Sequence, residues 1–330
     1  MESQNISKPM FFEELLCLIV PLAPVYVQEW FLLTGIGRVV VNFLTCLAGV
    51  IKLATKNIKL LMHFIKGHEK NKYGVKYGSH SAQHIDVYPS QSAKGGENRP
   101  TIVFVFGGAW GSGFPYMYRL LGQRMAFEGF NCIVVGYRTF PCADIVGQVK
   151  DIATALQFIH HSVGSSNNGE LSMISKSSPL YLCAHSSGAH VASLCLLWYS
   201  KEILFLSGFI GLAGCYHLRD QYEVEKKRGL HDMGPMKLAN RGMGEFDVHS
   251  PVFLLESIKD TTKIRIPKHL LIHGTSDIMI PISTSLRFQK AANGKFQCKL
   301  VPFENMGHQC MVTQFFNFNE RVRHLDAIKK

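Results

Sequence analysis

Beyond residue 72, short runs of continuously apolar residues alternate with longer stretches of helical periodicity. A short apolar run without polar alternation is typical of a strand that is buried on both faces. A longer stretch with apolar positions every three or four residues is typical of an amphipathic helix. This alternation predicts an α/β protein with a mostly parallel sheet and helices on both of its faces.

The predicted elements follow one another closely. Tyr73–Tyr88 has the pattern of a hairpin that turns at Gly78–Ser79, and residues 89–100 and 162–178 are polar loops. The other predicted strands are Thr101–Phe106, Cys132–Gly136, Leu180–Ala184, Phe205–Leu212, His269–His273 and Phe296–Val301. The predicted helices are Tyr116–Glu128, Asp144–Ser162, Ser187–Trp198, Ile282–Ala292 and Gln309–Ile328.

One internal segment departs from this alternation. Residues 215–262, called the insertion below, are charged, contain several glycines and show little periodicity. We therefore expect a single α/β domain over residues 71–330, with the insertion lying over one end of the sheet like a lid.

Residues 1–70 have a different character. The apolar stretch Leu15–Val27 is shorter than the roughly 20 residues that span a bilayer as a helix, and it contains two prolines. The acidic pair Glu13–Glu14 is a poor flank for a cleaved signal peptide, which favours basic residues there.

A lysine-rich stripe follows. On one helix, residues from Arg38 to Lys66 would place basic and polar side chains in a line beside a wide apolar face. Such a helix suits the surface of an anionic membrane. The alternatives are a basic helix packed on its own domain and a spanning helix near Val39–Ala54.

Composition narrows the class of protein. The chain is 47% hydrophobic and 18% charged, which is typical of a packed protein, and its formal net charge is +11. No zinc-knuckle, aromatic RNA-binding or basic-tract pattern accompanies that charge, so nucleic acid is not an expected partner. Nine cysteines with no C-x-x-C pair favour free thiols in a reducing compartment. The sequence sets no oligomeric state.

The stretch Ala184–Gly188 (AHSSG) lies where a predicted strand meets a predicted helix. A sharp turn at that place exposes a serine hydroxyl above the sheet, and small residues around it let strand and helix approach. The spacing identifies Ser186 as a candidate nucleophile and the Ser187 amide as a donor to an oxyanion. His185 and His190 lie too near in the chain to act as its base. The alternative is a crowded turn in a core.

Glycines also follow the strand TIVFVF. The glycine-rich loop, Gly107–Gly111, can turn backbone N–H groups toward a reacting oxygen. We expect the Gly108 and Ala109 amides to complete an oxyanion hole. An ordinary glycine turn is the alternative. The apolar residues that follow, Trp110, Phe114 and Tyr116, are candidate substrate contacts, although they could equally belong to the core.

Two later strand ends carry the remaining candidates. Asp277 follows the strand HLLIH, and His308 follows the strand FQCKLV. The chain order Ser186, Asp277, His308 is the order in which this architecture arranges a nucleophile, an acid and a base for acyl transfer. Each motif alone is compatible with a structural turn, but together they favour a serine hydrolase. No metal-ligand spacing and no nucleotide-binding glycine motif occurs, so no metal or cofactor is expected.

The quoted motifs also resemble a known family. GGAWGSG, LLGQRMAFEGFNCIVVGYRTFP, VKDI, SSGAH, GLAGCYHL, HGTSD and MGH are similar to segments of the isoprenylcysteine (prenylcysteine) methylesterases. These are α/β-hydrolases in the group of carboxylesterases and lipases that includes kynurenine formamidase. The likeness covers about residues 73–312.

The resemblance implies an activity and a place in the cell. It implies the α/β-hydrolase fold, hydrolysis of the α-carboxyl methyl ester of a prenylated cysteine, and a lipidated ester substrate. It also implies an enzyme of the endoplasmic reticulum or Golgi membrane with its catalytic domain in the cytosol. Ser186, Asp277 and His308 fall on the family's triad, and Gly107–Ala109 fall on its oxyanion loop.

Two residues depart from the family pattern. Phe106 stands where the wider group often has a histidine, and Ala184 replaces the first glycine of the turn. An arylformamidase acting on N-formylkynurenine or a short-chain lipid esterase would use the same machinery. A binding module derived from a hydrolase is the non-enzymatic alternative.

Overall fold

The computed structural model describes residues 70–91, 99–164, 171–232, 234–260, 265–316 and 322–329. The expected membrane-associating region, residues 1–70, lies outside the described residues except for Lys70. Within the described ranges, no helix has both the length and the apolar character needed to cross a bilayer.

The described residues form an eight-stranded sheet. In chain order its strands are β1 (Lys72–Lys76), β2 (His84–Tyr88), β3 (Thr101–Val105), β4 (Asn131–Val135), β5 (Leu180–His185), β6 (Leu206–Leu212), β7 (His269–Gly274) and β8 (Cys298–Phe303). Their spatial order is β1-β2-β4-β3-β5-β6-β7-β8. β2 is antiparallel to β1 and β4, whereas the pairs from β4 to β8 are parallel.

Helices connect the strands. They are α1 (Arg119–Phe127), α2 (Ile145–Ser162), α3 (Ser187–Trp198), α4 (Leu218–Lys227), α5 (Met236–Ala239), α6 (Pro251–Ser257), α7 (Ser283–Ala292), α8 (Cys310–Thr313) and α9 (Leu325–Lys329). Short 3-10 helices lie at Pro115–Tyr118, Met243–Glu245 and Gln314–Phe316. The alternation of strands and helices, and the parallel sheet that it implies, is confirmed.

Burial explains the apolar strand pattern. Every residue of β3 and β4 is buried, as are all but one each of β5, β6 and β7. These central strands are covered on both faces, which is why their sequences do not alternate between apolar and polar residues. Their carboxyl ends meet at one edge of the sheet, where the predicted site residues follow.

One predicted helix is wrong. The pattern over Gln309–Ile328 indicates one continuous helix, but the structure has α8, a 3-10 turn and α9, with residues 317–321 outside the described ranges. Residues 322–324 are not helical, and His324 is fully buried. Helical periodicity is a local signal that packing against the rest of the domain overrides here.

The insertion connects β6 to β7 through α4, α5 and α6. Its helix α6 packs against α3 and α7. The imidazole of His217 caps α4, because its Nδ1 accepts a hydrogen bond from the Asp220 amide at 3.2 Å. The insertion thus consists of short helices beside the helix that begins at Ser187.

Candidate active site

Ser186 lies in the turn between β5 and α3. Its φ of 57° is in the left-handed region, which non-glycine residues rarely adopt. Its amide donates to the Leu212 carbonyl at 3.0 Å. Gly188 lies against the backbone at the end of the neighbouring strand β3, so that a Cβ there would collide with the Phe106 carbonyl. The turn therefore has the strained strand-to-helix geometry that the small residues predict.

Three residues from three strand ends meet at this turn. The hydroxyl of Ser186 lies 2.9 Å from Nε2 of His308, and Nδ1 of His308 lies 2.7 Å from Oδ2 of Asp277. His308 and Asp277 are separated from Ser186 by 122 and 91 residues in the chain, and they meet because β5, β7 and β8 are parallel and end at the same edge. All three are buried. The structure thus brings together the three residues that chain order singled out.

Asp277 is held as a carboxylate. Its Oδ1 accepts hydrogen bonds from the amides of Met279 and Ile280, each at 2.9 Å. Burial by itself raises the pKa of the Asp277 carboxyl, but hydrogen bonds from His273, His308 and the Ile280 amide outweigh burial and hold that pKa below its ordinary value. A carboxylate in this position orients the imidazole of His308 and stabilises its protonated form.

The backbone around His308 is also held. The Ser276 amide donates to the Met306 carbonyl at 3.2 Å, and a Cβ on Gly274 would collide with the same carbonyl. Nε2 of His185 lies 3.3 Å from the His308 carbonyl. Burial lowers the pKa of His185 well below its ordinary value, so this imidazole is neutral. The structure places His185 against the backbone of His308 and not against the Ser186 hydroxyl.

The glycine-rich loop lies beside Ser186. A Cβ on Gly107 would lie 2.7 Å from the Ser186 Cβ, so only glycine allows this approach. Of the three amides predicted to form the oxyanion hole, Gly108 already donates to the Ser187 hydroxyl at 3.1 Å. The amides of Ala109 and Ser187 have no hydrogen-bond partner among the described residues.

Both departures from the family pattern have a structural setting. The Phe106 ring stacks on Tyr118 and Tyr137, with centroid distances of 5.4 and 4.8 Å. Its carbonyl accepts a hydrogen bond from the Tyr137 hydroxyl at 2.8 Å. Ala184 is fully buried in β5 opposite Val105 on one side and Gly211 on the other. The Ala184 methyl group is therefore part of the buried core of the sheet.

The predicted substrate contacts separate into two kinds. Trp110 is 3% exposed, and its indole Nε1 donates to Nδ1 of His190 at 2.9 Å. Trp110 is therefore part of the buried core, and its contact with a substrate stays a prediction. Phe114 and Tyr116 are 40% and 45% exposed, and their rings stack at 6.4 Å. Their contact with a substrate stays a prediction.

His190 joins the loop to the insertion. Burial lowers the pKa of His190 to about 3, so its ring is neutral. Nδ1 accepts from Trp110, and Nε2 donates to the His249 carbonyl at 2.7 Å. The structural role expected for His190 agrees with these contacts.

Sequence reasoning missed two side chains. His273 lies 3.3 Å from the Asp277 carboxylate through Nε2 and accepts from the Ser285 hydroxyl through Nδ1 at 2.8 Å. Its position four residues before Asp277 in the sequence could have indicated a contact between the two side chains. The Ser187 hydroxyl contacts amides 77 and 79 residues away, and no local pattern reveals this.

No group of three histidine, cysteine, aspartate or glutamate side chains in the described ranges is placed to hold a metal ion. The described site offers a hydroxyl, an imidazole and a carboxylate in a hydrogen-bonded row, next to two unengaged backbone amides. That arrangement can activate the hydroxyl for attack on an acyl carbon and accept the negative charge that develops on its oxygen.

Parts of this chain are similar in sequence to known proteins. Residues 85–209 match the BD-FAE family model. A probable isoprenylcysteine alpha-carbonyl methylesterase from Oryza sativa subsp. japonica is 29% identical over 247 residues, which are 71% of this chain and 57% of the rice protein. A kynurenine formamidase from Danio rerio is 29% identical over 159 residues, which are 44% of this chain and 46% of the fish protein. The chain spans about half the length of the curated relatives it matches.

The fold has solved counterparts. Esterase B from Lactobacillus rhamnosis superposes with a TM-score of 0.61 at 17% identity, covering 86% of this chain and 92% of the bacterial one. The strand order, the turn at Ser186 and these relatives all indicate the same fold. The chain has the α/β-hydrolase fold, and isoprenylcysteine methylesterases are among its relatives.

Proposed function

We propose that this protein hydrolyses a carboxyl methyl ester, that of a prenylated cysteine, through an acyl-enzyme on Ser186. The observation that carries the proposal is the continuous hydrogen-bonded row from the Ser186 hydroxyl through His308 to Asp277, with distances of 2.9 and 2.7 Å. The methylesterase names of the rice and Arabidopsis thaliana relatives support the choice of ester.

The proposed reaction has two halves. The Ser186 oxygen attacks the ester carbon while Nε2 of His308 takes its proton, and Asp277 stabilises the resulting imidazolium. The tetrahedral intermediate carries its negative charge against the Ala109 and Ser187 amides. Collapse expels methoxide, which receives the proton from His308 and leaves as methanol. Water then attacks the acyl-enzyme by the same proton route and releases the free carboxylic acid and the Ser186 hydroxyl.

A panel of substrates tests the proposal. Purified protein is assayed on a prenylcysteine methyl ester, N-formylkynurenine and p-nitrophenyl esters, with Ser186→Ala as the blank. We expect turnover of the prenylcysteine ester to exceed the others and to fall by about 10⁴-fold or more in Ser186→Ala. Faster turnover of N-formylkynurenine would favour the arylformamidase alternative, and faster turnover of p-nitrophenyl esters would favour a short-chain esterase.

A fluorophosphonate probe separates an enzyme from a binding module. The probe labels a serine only when a base activates its hydroxyl. We expect the wild-type protein to be labelled and Ser186→Ala to remain unlabelled. A wild-type protein that is not labelled would support the binding module derived from a hydrolase.

We also propose that the protein acts at a membrane surface of the endoplasmic reticulum or Golgi, with the hydrolase domain in the cytosol. The proposal rests on the basic amphipathic pattern between Arg38 and Lys66 and on the family resemblance. Co-sedimentation of the full chain with vesicles of phosphatidylserine and of phosphatidylcholine tests it. We expect binding to the anionic vesicles that weakens with salt, and equal recovery in the supernatant of both would contradict the proposal.

A further inference from the structure

Two neighbouring residues of the glycine-rich loop have an unfavourable backbone. Ala109 and Trp110 have φ values of 49° and 61°, both in the left-handed region. For residues with a Cβ this conformation is disfavoured, because the Cβ comes too close to the following carbonyl oxygen. It persists only where surrounding contacts determine it. Something in the structure must therefore hold this part of the loop.

The side chain of Ser187 supplies one set of these contacts. Its Oγ accepts hydrogen bonds from the Gly108 amide at 3.1 Å and from the Trp110 amide at 3.2 Å. The two donors flank Ala109 on both sides, so one hydroxyl fixes both peptide units around it. Ser187 is 1% exposed, which keeps water from competing for these bonds.

Trp110 is also held from the opposite side. Its carbonyl accepts from the Phe140 amide at 2.8 Å and from Nε2 of Gln148 at 2.9 Å, and its indole is bonded to His190. These contacts anchor the loop to the residues after β4 and to helices α2 and α3. The bonds to Ser187 tie it to the first residue of the helix that follows the nucleophile.

The role in catalysis expected from the sequence does not require a hydroxyl at Ser187. An oxyanion donor at this position needs only the backbone amide, which alanine would provide equally. The hydroxyl is committed to two loop amides, and one of them, Gly108, is thereby removed from the set of free donors. Of the three amides predicted for the oxyanion hole, those of Ala109 and Ser187 itself have no hydrogen-bond partner among the described residues.

We propose that the Ser187 hydroxyl is a positioning residue, which holds the glycine-rich loop so that the Ala109 and Ser187 amides, without Gly108, form the oxyanion hole. This inference rests on the proposed function. The hydroxyl touches no reacting atom and acts through the loop backbone. Its removal leaves Ser186, His308, Asp277 and both free amides chemically intact.

The chain offers a matched control. Ser193 lies on the same helix, is also 1% exposed, and its hydroxyl has no hydrogen-bond partner in the described structure. Ser187→Ala and Ser193→Ala therefore remove the same atom from equally buried positions of one helix. Only the first removes the bonds to the loop.

The test combines kinetics with hydrogen exchange on the purified full chain. In Ser187→Ala we expect kcat for the methyl ester to fall about 10- to 100-fold with KM within about twofold, because an oxyanion donor acts in the transition state. We expect Ser193→Ala to match the wild type. Ser187→Thr keeps the oxygen and is expected to recover most of the lost kcat. Thermal unfolding of each variant shows whether the protein remains folded.

Hydrogen exchange reports on the loop without relying on turnover. Amides of Gly108 and Trp110 should exchange at least about tenfold faster in Ser187→Ala and at the wild-type rate in Ser193→Ala. A Ser187→Ala protein with wild-type kcat, or with unchanged loop exchange, would overturn the inference. Wild-type protein that hydrolyses no ester would overturn the proposed function, whereas a change in exchange would still show that Ser187 holds the loop.

Discussion

The turn around Ser186 and the insertion differ in the space that surrounds their glycines. At the turn around Ser186, a Cβ on Gly107 or Gly188 would collide with neighbouring backbone. In the insertion, Gly229, Gly234, Gly242 and Gly244 have nothing within 4 Å of the place where a Cβ would stand. The first region is built by close approach of backbones, and the second has open space.

Side chains show the same contrast. Phe106 and Trp110 are buried beside the turn, whereas the insertion exposes large apolar residues, namely Leu238, Met243, Val248 and Phe253. Its ion pairs, such as Arg219 with Asp247 at 2.6 Å, lie at the surface, where each is worth little. The proposed chemistry therefore lies where backbones approach closely and side chains are buried, whereas the insertion has more room for substitutions.

In the comparison of these two regions, the largest effect is expected from Asp277→Asn. The amide cannot supply the charge that orients and compensates His308, so kcat should fall by about 10⁴-fold. Asp247→Asn is the matched substitution in the insertion and should change kcat less than about twofold. Steady-state kinetics on the ester found in the substrate panel measures both. A similar loss in the two variants would remove the contrast between the regions.

Glycine substitutions come next. Gly188→Ala should destabilise the fold by about 3 kcal/mol or more, because the new methyl group collides with the Phe106 carbonyl. Gly244→Ala places its methyl group in open space and should be neutral or slightly stabilising. Urea unfolding of both variants gives the two free energies. An unaffected Gly188→Ala protein would show that the turn can relax.

A smaller effect is expected in the pH dependence of stability, to which a residue of the insertion contributes. Burial raises the pKa of Glu225, in helix α4 of the insertion, from 4.5 to about 6, against a hydrogen bond from Gln221 and the charge of Arg228. The folded state binds this proton more tightly than the unfolded state. Its contribution to stability is complete below pH 4.5, falls as the pH rises, and is lost above about pH 6.

Glu225→Gln removes that titration. At pH 8 the variant should be about 1–2 kcal/mol more stable than the wild type, and at pH 4 the two should be equal. Thermal or urea unfolding at the two pH values checks this. Equal stabilisation at both pH values would mean that the effect is not due to charge. We expect kcat to stay unchanged, because Glu225 lies in the insertion and outside the row of Ser186, His308 and Asp277.

The smallest effect is expected at Ala184. Ala184→Gly restores the family's glycine, removes a buried methyl group from β5 and frees the backbone in the unfolded chain. We expect stability to fall by about 1 kcal/mol and kcat to remain within about twofold of the wild type. A large gain in kcat would show that the methyl group at this position hinders acylation.

The regular parts of the fold were predictable from the sequence. The predicted bounds of the central strands lie within one or two residues of the observed ones, and the helix Ser187–Trp198 matches its prediction at both ends. Strands buried on both faces and long amphipathic helices leave a periodic signal in the chain itself. The continuous helix over 309–328 failed because that signal does not report which neighbours compete for the same residues.

Part of the candidate site was also predictable from the sequence, and part was not. Chain order and strand ends were enough to select Ser186, Asp277 and His308 from the sequence, since parallel strands bring their carboxyl ends together. Their catalytic roles stay predictions, as do the contacts of Phe114 and Tyr116 with substrate. The apolar ring of Trp110 suits a cleft and a core equally well, and its burial and its bond to His190 are visible only in the tertiary structure.

Local patterns in the sequence predicted most strands and helices, the turns that need glycine, and the residue types that stand at strand ends. The tertiary structure alone decided which groups meet. The Ser187 hydroxyl finds its partners 77 and 79 residues away, and the Gly108 amide is thereby engaged while Ala109 stays free. Side-chain contacts across such separations depend on how the elements pack, and they leave no periodic trace in the chain.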